Sequence, residues 1–150
     1  MSSTTTRVVL SKITNARIAD VIAILHDPPR MARLNPTVIS VVQSAEDPQL
    51  YTITGKSMLG GIIPIPFSCT TRYTPVDDGV NAETEATGLL TGRNEWRAKE
   101  IGDHQCEIIE TASLDVSWLL KPFVTRTMHQ SHTDMLEALA KELESPGERQ

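Results

Sequence analysis

The spacing of hydrophobic positions changes period twice along the chain, from two to about three and a half and back, before ending on a long helical stretch. Thr4 to Ile13 is rich in β-branched residues, with Val8, Val9, Leu10 and Ile13, and predicts a strand. Thr14-Asn15 are residues that favour helix caps, and Ile18, Val21, Ile22 and Leu25 then recur at helical spacing, predicting a helix of about three turns. His26-Asp27-Pro28-Pro29 stops it, because a residue before proline is pushed out of the α region. A second short helix is predicted from Pro29 to Leu34, closed by Asn35-Pro36. Six strands follow, near Val38–Ala45, Leu50–Met58, Phe67–Val76, Val80–Leu89, Arg93–Ile101 and Gln105–Val116, separated by turn signals such as Gly60-Gly61, Asp77-Asp78-Gly79, Thr91-Gly92 and Gly102-Asp103. The last element is a long amphipathic helix from Pro122 to about Leu143. It carries Val124, Met128, Met135, Leu136, Leu139 and Leu143 on one stripe, with His132 on or beside it. A helix that long, placed last, needs a broad concave surface to cover its apolar face, and a curved antiparallel sheet supplies one.

Strand phases indicate which side chains meet that helix. In the last strand Cys106, Ile108, Glu110, Ala112, Leu114 and Val116 alternate with Glu107, Ile109, Thr111, Ser113 and Asp115. The first set is expected inside, since the second would carry two carboxylates into the core. In the strand before it Asn94, Trp96 and Ala98 alternate with charged residues and point inward by the same reasoning. Glu110 is therefore expected on the inner face near Trp96. In the hairpin before that, a two-residue turn at Asp78-Gly79 would set Arg72 opposite Glu85 and Tyr73 opposite Thr84. Thr71, Tyr73, Ala82, Thr84 and Ala86 would then share the inner face.

Composition narrows the function classes. With 150 residues the chain suits one domain, and a charged fraction of 22% with 39% hydrophobic residues suits a globular one. A net charge of −5, with no cluster of Lys or Arg, disfavours nucleic acid as a partner. Cys69 and Cys106 form no metal-type or redox pair and read as reduced core thiols of a cytoplasmic protein. Met1 to Thr6 shows neither an apolar core nor a basic amphipathic pattern, so no targeting signal is expected there. There is no Gly-X-Ser-X-Gly elbow, no Cys beside a His and no phosphate-cradling glycine loop, so nucleophilic catalysis and nucleotide binding find no support.

The order of elements resembles the helix-grip fold of the START, birch-pollen-allergen and polyketide-cyclase superfamily. The resemblance is carried by Thr14-Asn15-Ala16 before the first helix, His26-Asp27-Pro28 at its end, Leu34-Asn35-Pro36 before the second strand, and Trp118-Leu119-Leu120-Lys121-Pro122-Phe123-Val124 into the last helix. It implies an α+β domain in which a seven-stranded curved antiparallel sheet wraps a long C-terminal helix, with two short helices after strand 1. That domain would fill residues 1–150, with a core of about 4–144 and a frayed tail at 145–150. It further implies an apolar pocket between sheet and helix for lipids, sterols, polyketides or other hydrophobic metabolites. Some members are cyclases, dehydratases or related biosynthetic enzymes and others only carry ligand. The superfamily has no universal catalytic motif, so no catalytic residue is transferred.

The residues themselves supply candidates. Glu110 is the one expected catalytic group, a desolvated carboxyl suited to acid or base work on an enolisable or dehydrating substrate. The plain alternative is a strand slip that turns it outward, or a buried partner such as Asn94 or Arg33. Tyr51, Tyr73, Asn94, Trp96, Ile108, Met128 and His132 are expected to line the ligand site, the tyrosines either as hydrogen-bonding groups or as ordinary core residues. His129 and His132 have helical spacing, but no third ligand completes a metal set, and no metal or cofactor is expected. His26 is read as a partner for the C-terminal dipole of the first helix. The run from Ser57 to Thr71 is uncharged, and two glycines and two prolines exclude a membrane-spanning helix. Its Leu59 to Phe67 loop is read as either a lip over the pocket, the one place for membrane contact, or a plug in the core. The leading expectation is an accessory biosynthetic enzyme that cyclises, dehydrates or isomerises a polyketide- or terpenoid-like intermediate. The alternatives are a non-catalytic lipid, sterol or quinone carrier, and an interaction module. No feature of the sequence assigns an oligomeric state.

Overall fold

A computed structural model describes the backbone of residues 3–59, 63–86, 90–117 and 121–144, and side chains within these except 3–6, 57–59, 63, 90, 116–117, 121–131 and 142. The order is β1 (Ser3–Thr14), α1 (Ile18–Leu25), α2 (Pro28–Arg33), β2 (Val38–Gln43), β3 (Leu50–Leu59), β4 (Ile63–Val76), β5 (Gly79–Ala86), β6 (Leu90–Gly102), β7 (Gln105–Ser117) and α3 (Lys121–Glu144). The strands form one antiparallel sheet in the order β1-β7-β6-β5-β4-β3-β2. From β2 onward the chain is a plain meander, and the last strand returns beside the first. The two short helices carry the chain from one edge of the sheet to the other. Both cover its inner face, where Val21, Ile24, Leu25 and Met31 are buried with Val80, Trp96 and Ile108. α3 packs on β1 and β7 through Leu136, Leu139 and Leu143. Its 24 residues make it the long closing helix that the hydrophobic stripe predicts. Among the described residues no helix is long and apolar enough to cross a membrane.

The helix boundaries differ from the sequence reading in instructive ways. α1 has eight residues, closer to two turns than three, and its N-cap position is Arg17 with no side-chain cap. Thr14 and Asn15 instead bind the far end of the chain: the Thr14 hydroxyl (3.2 Å) and the Asn15 N–H (3.0 Å) donate to Glu144 Oε2. α2 begins at Pro28, one residue early, because Asp27 caps it by accepting the Arg30 N–H at 3.3 Å. His26 is the C-cap residue of α1, yet its ring reaches elsewhere. Nε2 lies 2.8 Å from the Val76 carbonyl and 2.9 Å from that of Gly79, so the proton sits on Nε2 and clasps the β4–β5 turn.

That turn corrects the hairpin register. Its two central residues are Asp77 and Asp78, with Val76 opposite Gly79, so Tyr73 faces Ala82 and Arg72 faces Glu83 rather than Glu85. Moving a turn by one residue moves the pairing by two, which preserves the faces. Thr71, Tyr73 and Ala82 are buried as expected. Arg72 forms its ion pair with Asp47, at 2.6 Å, in the β2–β3 loop. Gly79 is required where it is, because a Cβ there would lie 1.7 Å from the Trp96 carbonyl oxygen.

The uncharged run is mostly strand. β3 and β4 stay paired up to Leu59 opposite Ile63, leaving residues 60–62 outside the described residues. Pro64, Ile65 and Pro66 are exposed, Ile65 by 40%, so this segment of the run is not a plug. The two prolines misled the sequence reading because proline is excluded from doubly paired strands. Here the β5–β6 hairpin turns back at Ala86 opposite Leu90, and β4 outruns it. Residues 64 and 66 have the same parity, so both missing N–H groups can face the open side. Thr91-Gly92 likewise is strand rather than turn, paired with Glu85 and Thr84.

Two outcomes test these packing claims. Gly79→Ala is expected to lower the denaturant-derived stability by about 3 kcal/mol, the upper part of the overpacking range, because the clash is with backbone. Gly92→Ala, whose Cβ would press on the end of the Leu114 side chain at 3.2 Å and meet the Ser113 carbonyl oxygen at an ordinary 3.7 Å, should cost clearly less. The Arg72 guanidinium, helped by the Gln49 N–H, holds the Asp47 carboxyl below its ordinary 3.8. A depressed carboxyl stabilises the fold above its unfolded value and loses that contribution as pH falls. NMR titration should therefore find Asp47 titrating below 3.8, and Arg72→Ala should move it back up.

Candidate functional site

The site grows from the pairing of β6 with β7. Trp96 stands opposite Glu110, and Asn94 opposite Ala112, so Asn94 is the diagonal neighbour of Glu110 on the inner face. The methyl group of Ala112 leaves Asn94 room to turn toward the carboxylate. Its Nδ2 donates to Glu110 Oε2 at 2.7 Å. From above, α3 brings His132, one turn before the buried anchor Leu136, and its Nδ1 pairs with the same oxygen. Asn94 Nδ2 and His132 Nδ1 lie 3.5 Å apart because both attend Oε2. A proton must lie between His132 Nδ1 and Oε2, since two lone pairs would repel at such close range.

Glu110 is 1% exposed, and its Oε1 has no hydrogen-bond partner among the described residues. The same holds for Thr133 Oγ1, on the residue after His132. Around the carboxyl the surroundings are apolar. Trp96 (3% exposed) and Leu10 flank it across the two ladders, and the fully buried Ile108 is the next inner residue on its own strand. Burying a carboxyl among such groups is costly unless it is paired, which Oε2 is and Oε1 is not.

A second polar group lies across the sheet. Tyr51 and Tyr73, both buried, pack edge to face with ring centroids 5.7 Å apart and planes at 79°. Beside them the hydroxyls of Thr71 and Thr84 share a hydrogen bond of 3.0 Å. Burial, reinforced by nearby Cys69 and Tyr51, raises the Tyr73 phenol well above its ordinary 10, so it remains a proton donor at neutral pH. Tyr73, Ala82 and Asn94 occupy one cross-strand row. Two strand spacings put about 10 Å between the ends of that row, with the small Ala82 between them.

Of the residues expected at the site, Glu110, Asn94, Trp96 and Ile108 are brought together with His132. Tyr51 and Tyr73 form the separate cluster. Met128 lies in α3 with its side chain outside the described residues, as does that of His129. The sequence named Glu110 and His132 separately, and no one-dimensional pattern joins a strand residue to a helix residue. Thr71 and Thr84 went unremarked as site residues, although threonines on the inward phase of a hairpin were the available signal. Among the described residues no cluster of three metal-ligating side chains occurs. A groove of about 400 Å³ lies on the opposite face of the sheet and is lined by charged groups including Arg72, Glu83, Glu85, Arg93 and Asp115.

The shared oxygen predicts strong coupling. A double-mutant cycle of Glu110→Gln and His132→Ala, read by chemical denaturation, should give an interaction energy of about 1–3 kcal/mol. Additive effects would show that the contact carries nothing.

Solved structures with this architecture are numerous. The Zhui aromatase/cyclase from Streptomyces sp. R1128 superposes with a TM-score of 0.77 over 97% of this chain and 98% of its own, at 13% identity. A START superfamily protein from Mycobacterium smegmatis gives 0.71 at 11% identity, covering 93% and 98%. One half of the di-domain ARO/CYC BexL from the BE-7585A biosynthetic pathway gives 0.69 at 12%, covering 93% of this chain and 50% of that one. At such identities the likeness establishes the helix-grip fold. No curated protein matches the sequence. The profile of a domain of unknown function, DUF7053, matches residues 4–145, nearly the whole chain, which therefore belongs to the DUF7053 family.

Proposed function

We propose that this protein binds a small hydrophobic molecule between the inner face of the sheet and α3, and acts on it as an accessory biosynthetic enzyme. The observation that carries this reading is the buried Glu110 carboxyl, clamped at Oε2 by Asn94 and His132 and unpartnered at Oε1 among the described residues. A purely structural carboxylate in an apolar core would be expected to have both oxygens satisfied. Here one oxygen is fixed in place while the other can accept or return a proton, with His132 able to share the charge. The reaction classes that need no more than this are cyclisation, dehydration and isomerisation of a polyketide- or terpenoid-like intermediate. Such chemistry would proceed by orientation and exclusion of water.

The fold likeness to aromatase/cyclases supports this reading. The apolar inner face supports a hydrophobic ligand, and the protonated Tyr73 phenol suits a ligand carbonyl. A cytoplasmic setting fits, since Cys69 and Cys106 are both free, as reducing conditions keep them.

The test is native mass spectrometry of protein purified from its own source, with extraction of the molecule it holds. Incubated with the extracted compound or its precursor, the wild type should yield a dehydrated, cyclised or isomerised product. Glu110→Gln should slow that turnover by about a hundredfold or more while still binding. Stoichiometric binding and release of an unchanged molecule would instead identify a carrier.

A further inference from the structure

We propose that the ligand is neutral and presents a hydroxyl hydrogen to Glu110 Oε1. This rests on the reading of the inner face as the binding surface and adds the polarity of the group received there. Among the described residues two donors reach the carboxyl, Asn94 Nδ2 and His132 Nδ1, and both go to Oε2. Oε1 is buried and has none among them. A carboxylate oxygen in that state accepts hydrogen bonds and offers none, so the group that completes it must be a donor.

Charge decides which donor. By register the inner face around Glu110 is formed by Leu10, Asn94, Trp96, Ile108 and Ala112, and the one Lys or Arg on that phase of β1, β5, β6 and β7 among the described side chains, Lys12 opposite Ile108, is exposed. A ligand carboxylate or fully ionised phosphate has no hydrogen to offer Oε1 and would set a second acceptor against it. Fatty acids and anionic lipid headgroups are thereby disfavoured. A ligand ammonium gains less, because it would have to shed its hydration at a carboxyl already held by Asn94 and His132. A hydroxyl supplies the donor without a charge. Ethers and plain hydrocarbons lack the donor.

The test uses the full chain and a neutral fluorescent probe, N-phenyl-1-naphthylamine, displaced by a series of equal chain length: decanol, its methyl ether, decanoate and decylamine. The alcohol is expected to displace the probe at about tenfold lower concentration than each of the others, the value of one hydrogen bond to a charged group. In Glu110→Gln the side-chain oxygen can take over the bonds from Asn94 and His132, turning its amide N–H toward the ligand. The alcohol's advantage over the ether should then vanish or reverse. Equal displacement by alcohol and ether in the wild type, or a preference for decanoate or decylamine, would overturn the proposal while leaving the binding surface intact. Failure of the probe to bind would overturn both. Should Glu110→Gln lose its native circular dichroism, the wild-type series decides alone.

Discussion

The interaction on which the rest of the structure depends is the clamp on one oxygen of Glu110. An almost fully buried carboxyl beside Trp96 and Ile108 is tolerable only if donors reach it, and the two that do come from different layers. Asn94 arrives along the sheet, which ties the β6–β7 register to the carboxyl. His132 arrives from α3, which fixes the rotation of the helix about its axis. A slip of one residue in β7 would put the carboxyl on the solvated face, and the same slip in β6 would take Asn94 away from it. A rotation of the helix would strand it. The pairing thus joins the two halves of the domain at a polar point inside an apolar core.

Much of this was legible in the sequence because periodicity of two is unforgiving. The phase that keeps Glu107 and Asp115 outside puts Glu110 inside, and the burial of Cys106, Ile108, Ala112 and Leu114 follows. The hairpin shows how much error that logic absorbs. Its turn lies one residue from the expected place, yet Tyr73 and Ala82 kept their face because the register moved by two. What the sequence concealed were long-range contacts between chemically unremarkable positions. Asp47 rather than Glu85 takes Arg72, Glu144 takes the corner at Thr14 and Asn15, and His26 clasps a turn fifty residues away in sequence.

The candidate site was half legible for the same reason. Strand alternation placed Asn94, Trp96, Ile108 and Glu110 on one face, whereas the convergence of His132 needs the crossing of helix over sheet. The tyrosine pair was foreseen as inward, but its separation from Glu110 by the row through Ala82 is a property of the strand order. An inner surface with a proton donor at one side, an acceptor at the other and the small Ala82 between them follows from that order.

The prolines of β4 have a meaning beyond their place in the strand. A paired ribbon that extends past its neighbours, with Lys56 as its single charge among the described residues, would ordinarily recruit strands from other molecules through its free backbone groups. Pro64 and Pro66 lie on the stretch of β4 that outruns the β5–β6 turn. With no N–H at 64 or 66 to offer on that side, this stretch is a poor template for another chain, so the ribbon can keep its apolar character with less tendency to fibrous association.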